Sequence, residues 1–226
     1  RLLSNRMNDW LVWQLVDTAF PSGGFAHSAG LEAAVQWGEL EPSGRLDLFL
    51  RESLVQASYG AIPIIGALHR QQQSFEELDC LNEALLSNHV ANRASRKQGR
   101  ALLASAIVTF DLPGLKTLQQ TISEAALPAH QVPVWAAVTE VLEIPLEQAA
   151  RMFLFQTLRS LISSAVRLHV IGPLAGQALQ HQIGSFCESL VQNGLERSVE
   201  DISQTAPLME MLQGTQDRMY SRLFQS

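Results

Sequence analysis

The sequence predicts an all-α fold, a single-domain bundle of about ten helices with a short helical tail at its C-terminal end. Three observations predict it. Apolar residues recur at spacings of three and four along almost every segment, and no segment alternates convincingly at period two. Proline and glycine fall at the joints between those segments. The 226 residues, 46% of them hydrophobic, suffice to bury a core without a disulfide or metal staple.

The elements follow in order. An apolar helical run covers 10–19 and stops at Pro21. Gly23-Gly24 makes a tight turn, because glycine accepts positive φ, and a second helical run opens after Ser28. Residues 47–59 and 64–73 read as two helices separated near Gly60 and Pro63. Ser74-Phe-Glu-Glu reads as an N-cap with acids in the first turn, opening a helix that runs to about 87. A helix over 90–108 comes next, then 115–126 and 132–142, with Pro128 and Pro133 at the joint. Over 146–168, Leu146, Ala150, Phe153, Leu154, Leu158 and Leu161 share a face, with Glu147, Arg151, Arg159 and Arg167 mostly opposite. Pro145 starts that helix, and Gly172-Pro173 introduces the next, over 174–192.

The tail differs. Pro207 leads a short apolar cluster, Leu208, Met209, Met211 and Leu212, which Gly214 breaks. A last short helix, 218–226, is expected to carry the stripe Met219, Tyr220, Leu223 and Phe224 beside Arg218 and Arg222. So short a helix is marginal alone and must dock, on a partner or on its own core. The expected domain is 1–226, with a core of about 8–193 and a partner-binding tail of about 205–226.

Composition excludes several functions. A formal net charge of −6 argues against nucleic-acid binding. No apolar run approaches ~20 residues, so no membrane span is expected. No signal peptide is visible, and two cysteines far apart, Cys80 and Cys187, point to a reducing cytoplasm. The first residue is Arg1 rather than Met, so N-terminal residues are expected to be missing. There is no phosphate-binding Gly-x-x-x-x-Gly-Lys-Ser/Thr, no Gly-x-Ser-x-Gly elbow and no magnesium-type acidic cluster. The six histidines neither pair at His-x-x-x-His spacing nor sit beside a cysteine. No catalytic residue, metal ligand set or cofactor is therefore assigned.

Two patterns point to binding instead. The loop Ser22-Gly-Gly-Phe-Ala-His-Ser presents Phe25 and His27 between two helices. Arg93, Arg96, Lys97 and Arg100 fall at i, i+3, i+4 and i+7, one basic face on an acidic chain. Arginine forks on that face suit carboxylates or phosphates, or pair with local acids such as Glu83. Gly99, costly inside a helix, implies close approach of another backbone, from the same fold or a second copy.

These strings carry a family resemblance. Ser22-Gly-Gly-Phe-Ala-His-Ser, Ser95-Arg-Lys-Gln-Gly-Arg, Arg159-Ser-Leu-Ile-Ser-Ser-Ala-Val-Arg-Leu and Tyr220-Ser-Arg-Leu-Phe-Gln-Ser resemble, in order, four motifs of the urease accessory protein UreF family. Trp135 to Ala137 depart from it, filling a place where the family often has glycine. The resemblance implies a non-enzymatic, cytoplasmic homodimer that binds UreD (UreH in some organisms). With it, such a protein recruits the GTPase UreG, so that nickel reaches apo-urease. It implies partner contacts at Gly23, Gly24, Phe25, His27 and Ser28 in the loop. Arg96, Lys97 and Arg100 on the basic face, and Tyr220, Arg222, Leu223 and Phe224 in the tail, complete the implied set. The alternatives are a plain helical regulator and a small-molecule enzyme using His27 or His130 as acid or base.

Overall fold

The computed structural model describes residues 2–40 and 45–226, with side chains from residue 9 onward. The expected span of 1–226 thus includes residue 1 and residues 41–44, which lie outside the described residues. The described residues form ten α-helices and no strand. In order these are α1 (Leu2–Val16), α2 (Leu31–Gln36), α3 (Arg45–His69), α4 (Phe75–Leu85) and α5 (His89–Phe110). They continue with α6 (Pro113–Glu124), α7 (Gln131–Val141), α8 (Leu146–Arg167), α9 (Pro173–Leu195) and α10 (Pro207–Gly214).

The bundle is organised around α3, which packs on α7, α8 and α9. Helix α5 lies against α7, and α8 against α9. This centre corrects one expectation. The segments 47–59 and 64–73 are not two helices but one, running through Pro63. Every residue from Ala61 to Leu68 is buried, so this stretch is apolar on all sides and packing holds it helical. Burial outweighs the one backbone hydrogen bond that proline removes.

Local signals fixed the ends of other helices. Ser74 caps α4 in a reciprocal box: Glu77 N–H donates to Ser74 Oγ at 3.2 Å, and Ser74 N–H donates to the Glu77 carboxylate at 2.8 Å. Helix α1 stops at Val16, short of Ala19, because the Asp17 carboxylate takes the Ala19 N–H at 2.7 Å. Gly99 meets a backbone of the same fold. A Cβ there would collide with the Ala129 carbonyl oxygen and stand 2.7 Å from the His130 carbonyl carbon. Glycine is what lets α5 and the start of α7 touch.

The tail corrects a second expectation. The helical part ends with α10 and a single 3-10 turn, Gln216–Arg218. No helix spans 218–226. Its backbone donors go elsewhere: Leu223 and Phe224 N–H donate to the Glu32 carboxylate, and Gln225 N–H donates to the Ala26 carbonyl at 2.8 Å. The expected stripe is divided, with Met219 and Phe224 buried and Tyr220 and Leu223 exposed. The tail docks on its own chain.

Candidate functional site

Loop 23–28 and the tail meet over α2, α5 and α8. Gly23 has φ 77, a left-handed conformation that a side chain strains, and the 3-10 turn Gly24–Ala26 follows it. That turn throws Phe25 outward, 68% exposed, and His27 inward, 9% exposed. The Arg167 guanidinium from the end of α8 lies between two rings, 3.9 Å from the Phe25 centroid and 4.1 Å from that of Phe224. Arg167 also donates to the Phe25 carbonyl at 2.7 Å. One cation therefore clamps loop to tail.

A second clamp lies deeper. Glu32, in the first turn of α2, is 2% exposed and makes no salt bridge among the described residues. Its carboxylate accepts the Leu223 and Phe224 N–H groups and the Gln216 carboxamide, the last at 2.7 Å. A buried carboxylate holding three donors fixes the backbone that supplies them. The last residue joins in. Ser226 Oγ shares a 2.6 Å hydrogen bond with His27 Nδ1, and Ser28 Oγ donates to the Ser226 main-chain oxygen at 3.0 Å. Burial, aided by the nearby charges of Lys97 and Arg93, lowers the His27 pKa to about 4. The ring is neutral at physiological pH.

The basic face of α5 runs beside the tail. Arg93 makes a fork on Asp217, 2.8 and 3.1 Å, and Arg222 reaches the same carboxylate at 3.1 Å. The Arg93 bond first, and His89 with it, hold the Asp217 carboxyl below its usual range. Lys97 touches the Gln225 carboxamide at 3.3 Å. Arg96 pairs with Glu83, and Arg100 has no acidic partner among the described residues. So the central motif and the closing motif, distant in sequence, form one surface.

The implied residues therefore divide. Phe25, Tyr220, Leu223 and Arg222 stand exposed, as do Lys97, Arg100 and Gly23. Gly24 and Arg96 are half-buried. His27, Ser28 and Phe224 are buried and spent on internal bonds. Their side chains are not presented at the surface. Sequence reasoning missed Glu32 and Arg167. Glu32 carried one signal, an acid inside the apolar run Leu31-Glu-Ala-Ala-Val; Arg167 fell in the third motif and on the polar side of an amphipathic helix, with no role attached.

The two histidines named as alternative acids or bases are both engaged internally. His130 is fully buried, with Nε2 2.6 Å from Glu83 and Nδ1 3.1 Å from Ser95 Oγ. Asp79 accepts the Ala129 and His130 N–H groups at 2.8 and 2.7 Å. This knot ties α4, α5 and α7 together and leaves no ring nitrogen for a substrate. A cleft of about 620 Å³ under the loop is lined by Gln98, Thr157, Ser160 and Arg167 among others. His27 is its one imidazole, with depressed basicity and one nitrogen engaged. Among the described residues, no group of three His, Cys, Asp or Glu side chains gathers as a metal set. Among them too, no helix is long and apolar enough to cross a membrane. Cys80 and Cys187 are free thiols.

Comparison with known proteins adds the family. The UreF family model matches residues 42–184. The chain is 37% identical to the urease accessory protein F of Oryza sativa subsp. indica, covering 97% of this chain and 86% of that protein. It is 32% identical to the urease accessory protein F of Arabidopsis thaliana, covering 95% and 91%. It is 30% identical to the urease accessory protein UreF of Arthrobacter sp. (strain FB24), covering 94% and 95%.

Proposed function

The chain belongs to the UreF family of urease accessory proteins, with a role in urease maturation, and from that we propose that it acts as a non-enzymatic adaptor. In this reading it dimerises, binds UreD (or UreH) and recruits the GTPase UreG. The assembly then delivers nickel, as cargo, to apo-urease in the cytoplasm.

One observation carries the reading. The loop, the basic face of α5 and the tail are held together by internal clamps, yet they turn exposed Phe25, Tyr220, Leu223 and Arg222 outward. Tyr220, in particular, is fully exposed although aromatic side chains gain most from burial. Aromatic and arginine side chains on a rigid scaffold are what binding hot spots are made of. An enzyme would instead need a poised acid, base or nucleophile, and the two candidate histidines are both engaged internally.

Capture of purified UreD and UreG on the immobilised chain tests the proposal. The expected result is retention of UreD alone and of UreG only when UreD is present. Retention of neither, by a chain shown to be folded, overturns it.

A further inference from the structure

The groove beside the tail has a definite electrostatic character. Arg93, Arg96, Lys97 and Arg100 form its floor, and Arg222 is brought to its edge through Asp217. Against those five cations stand two carboxylates, Asp217 and Glu83. A positive excess is thus concentrated on a chain whose formal net charge is −6. The groove is open and holds about 560 Å³.

Its shape selects among anions. The α5 cations are strung along one helix face over about 10 Å, not converged on a point. Among the described residues that line the groove there is no glycine-rich backbone cradle, and that cradle is what a phosphate site uses. The cations already take carboxylates as ligands, Arg93 in a two-pronged fork on Asp217. An extended row of carboxylates fits this line.

Glu32 bears on the edge of the groove, where Asp217 and Arg222 reach it. Arg222 and Asp217 both belong to the tail, and Glu32 holds the backbone just beyond Arg222 through the Leu223 and Phe224 N–H groups. Glu32 touches no groove residue of α5, so its influence runs through the tail.

We propose that this groove docks an acidic, Asp/Glu-rich segment of a partner protein, and that Glu32 is the positioning residue that holds Arg222 at its edge. The proposal rests on the adaptor reading above and names the chemistry that its surface would recognise.

The test uses the full chain and a fluorescein-labelled oligoglutamate peptide, followed by fluorescence anisotropy. Wild type is expected to bind the peptide at low salt and to lose it as salt rises. Lys97→Glu with Arg100→Glu should weaken binding about tenfold or more, at an unchanged melting temperature. Glu32→Ala should weaken binding less than the charge reversal, because the tail brings one cation and one carboxylate, and should speed tryptic cleavage after Arg222, with Glu32→Gln intermediate in both. Peptide binding that is absent at low salt, or equal in the charge-reversed variant, overturns the proposal. So does displacement of the peptide by inorganic phosphate as readily as by unlabelled oligoglutamate at equal charge. Peptide binding by Glu32→Ala equal to wild type removes Glu32 from the proposal and overturns that half. Should Glu32→Ala fail to fold, the charge-reversed variant decides alone. Peptide binding that follows the variants while UreD and UreG are not captured leaves the groove standing and sinks the adaptor reading.

Discussion

His27 Nδ1 and Ser226 Oγ lie 2.6 Å apart although 199 positions separate them in the chain. The bond joins the N-terminal loop to the end of the tail, and it is made by an imidazole that burial keeps neutral. Loop and tail are therefore one structural unit, and the outer face of that unit is what a partner would meet.

The tail should loosen in mild acid. The unfolded chain takes up the His27 proton near pH 6.5, the folded chain only near about 4. Between those values the unfolded state binds more protons, so stability falls as pH drops and levels off below the folded value. The slope from this one group is about 1.4 kcal/mol per pH unit at most. His69, also lowered by burial, acts in the same direction, so His27→Gln should flatten the dependence only in part. Hydrogen exchange of the Leu223 to Gln225 amides, followed from pH 7 to pH 5, checks this. Equal protection across that range would show that His27 does not hold the tail.

Phe25→Ala should separate binding from folding. The ring is mostly exposed and lies against Arg167, which also contacts the Phe224 ring. The expected change in melting temperature is small. Loss of a buried aromatic anchor in a complex costs about 2 kcal/mol, or more than tenfold in affinity. Surface plasmon resonance against UreD with UreG gives the comparison. Unchanged affinity would remove Phe25 from the interface.

Gly99→Ala should be severe. The new methyl group meets the Ala129 and His130 backbone, which has no rotamer to yield. The contact between α5 and α7 must open, disturbing the bonds of His130 to Ser95 and Glu83. A loss of about 3 kcal/mol or more is expected by chemical denaturation. A cost under about 1 kcal/mol, the ordinary gain of alanine over glycine in a helix being in its favour, would refute the close approach.

Truncation after Gly214 should do more than remove a loose end. It deletes buried Met219 and Phe224 and strips Glu32 and His27 of their partners. The bundle around α3 keeps its own core, so cooperative unfolding should persist at a lower melting temperature. Arg222→Ala, by contrast, breaks an exposed pair worth about 1 kcal/mol or less and should leave melting nearly unchanged. Calorimetry of the two proteins separates these outcomes. Identical melting of the truncated and intact chains would mean the tail is undocked in solution.

Much of the fold was legible because packing and local signals agreed. Helix α8 shows its period plainly, and Ser74 with Glu77 spells out a cap. Pro63 misled because a buried helix lacks the polar stripe that would have continued the pattern across it. The tail misled for another reason. Residues 219–226 have helical spacing, but their amide donors are claimed by Glu32 and Ala26, far away in sequence. Of the site, the family resemblance named the segments, and nothing in the sequence said that they would meet. Nothing local in the sequence pairs Arg93 with Asp217 or sets Arg167 between Phe25 and Phe224. Such long-range pairs are a product of the bundle, not of any segment in it.

The most direct measurement is urease activity in cells that carry urease, UreD and UreG but lack their own UreF. With this chain expressed, nickel-dependent urease activity should rise well above the empty-vector level. The chain truncated after Gly214, at equal expression, should not raise it. Activity at the empty-vector level with the intact, folded chain would contradict a role as the adaptor of urease maturation.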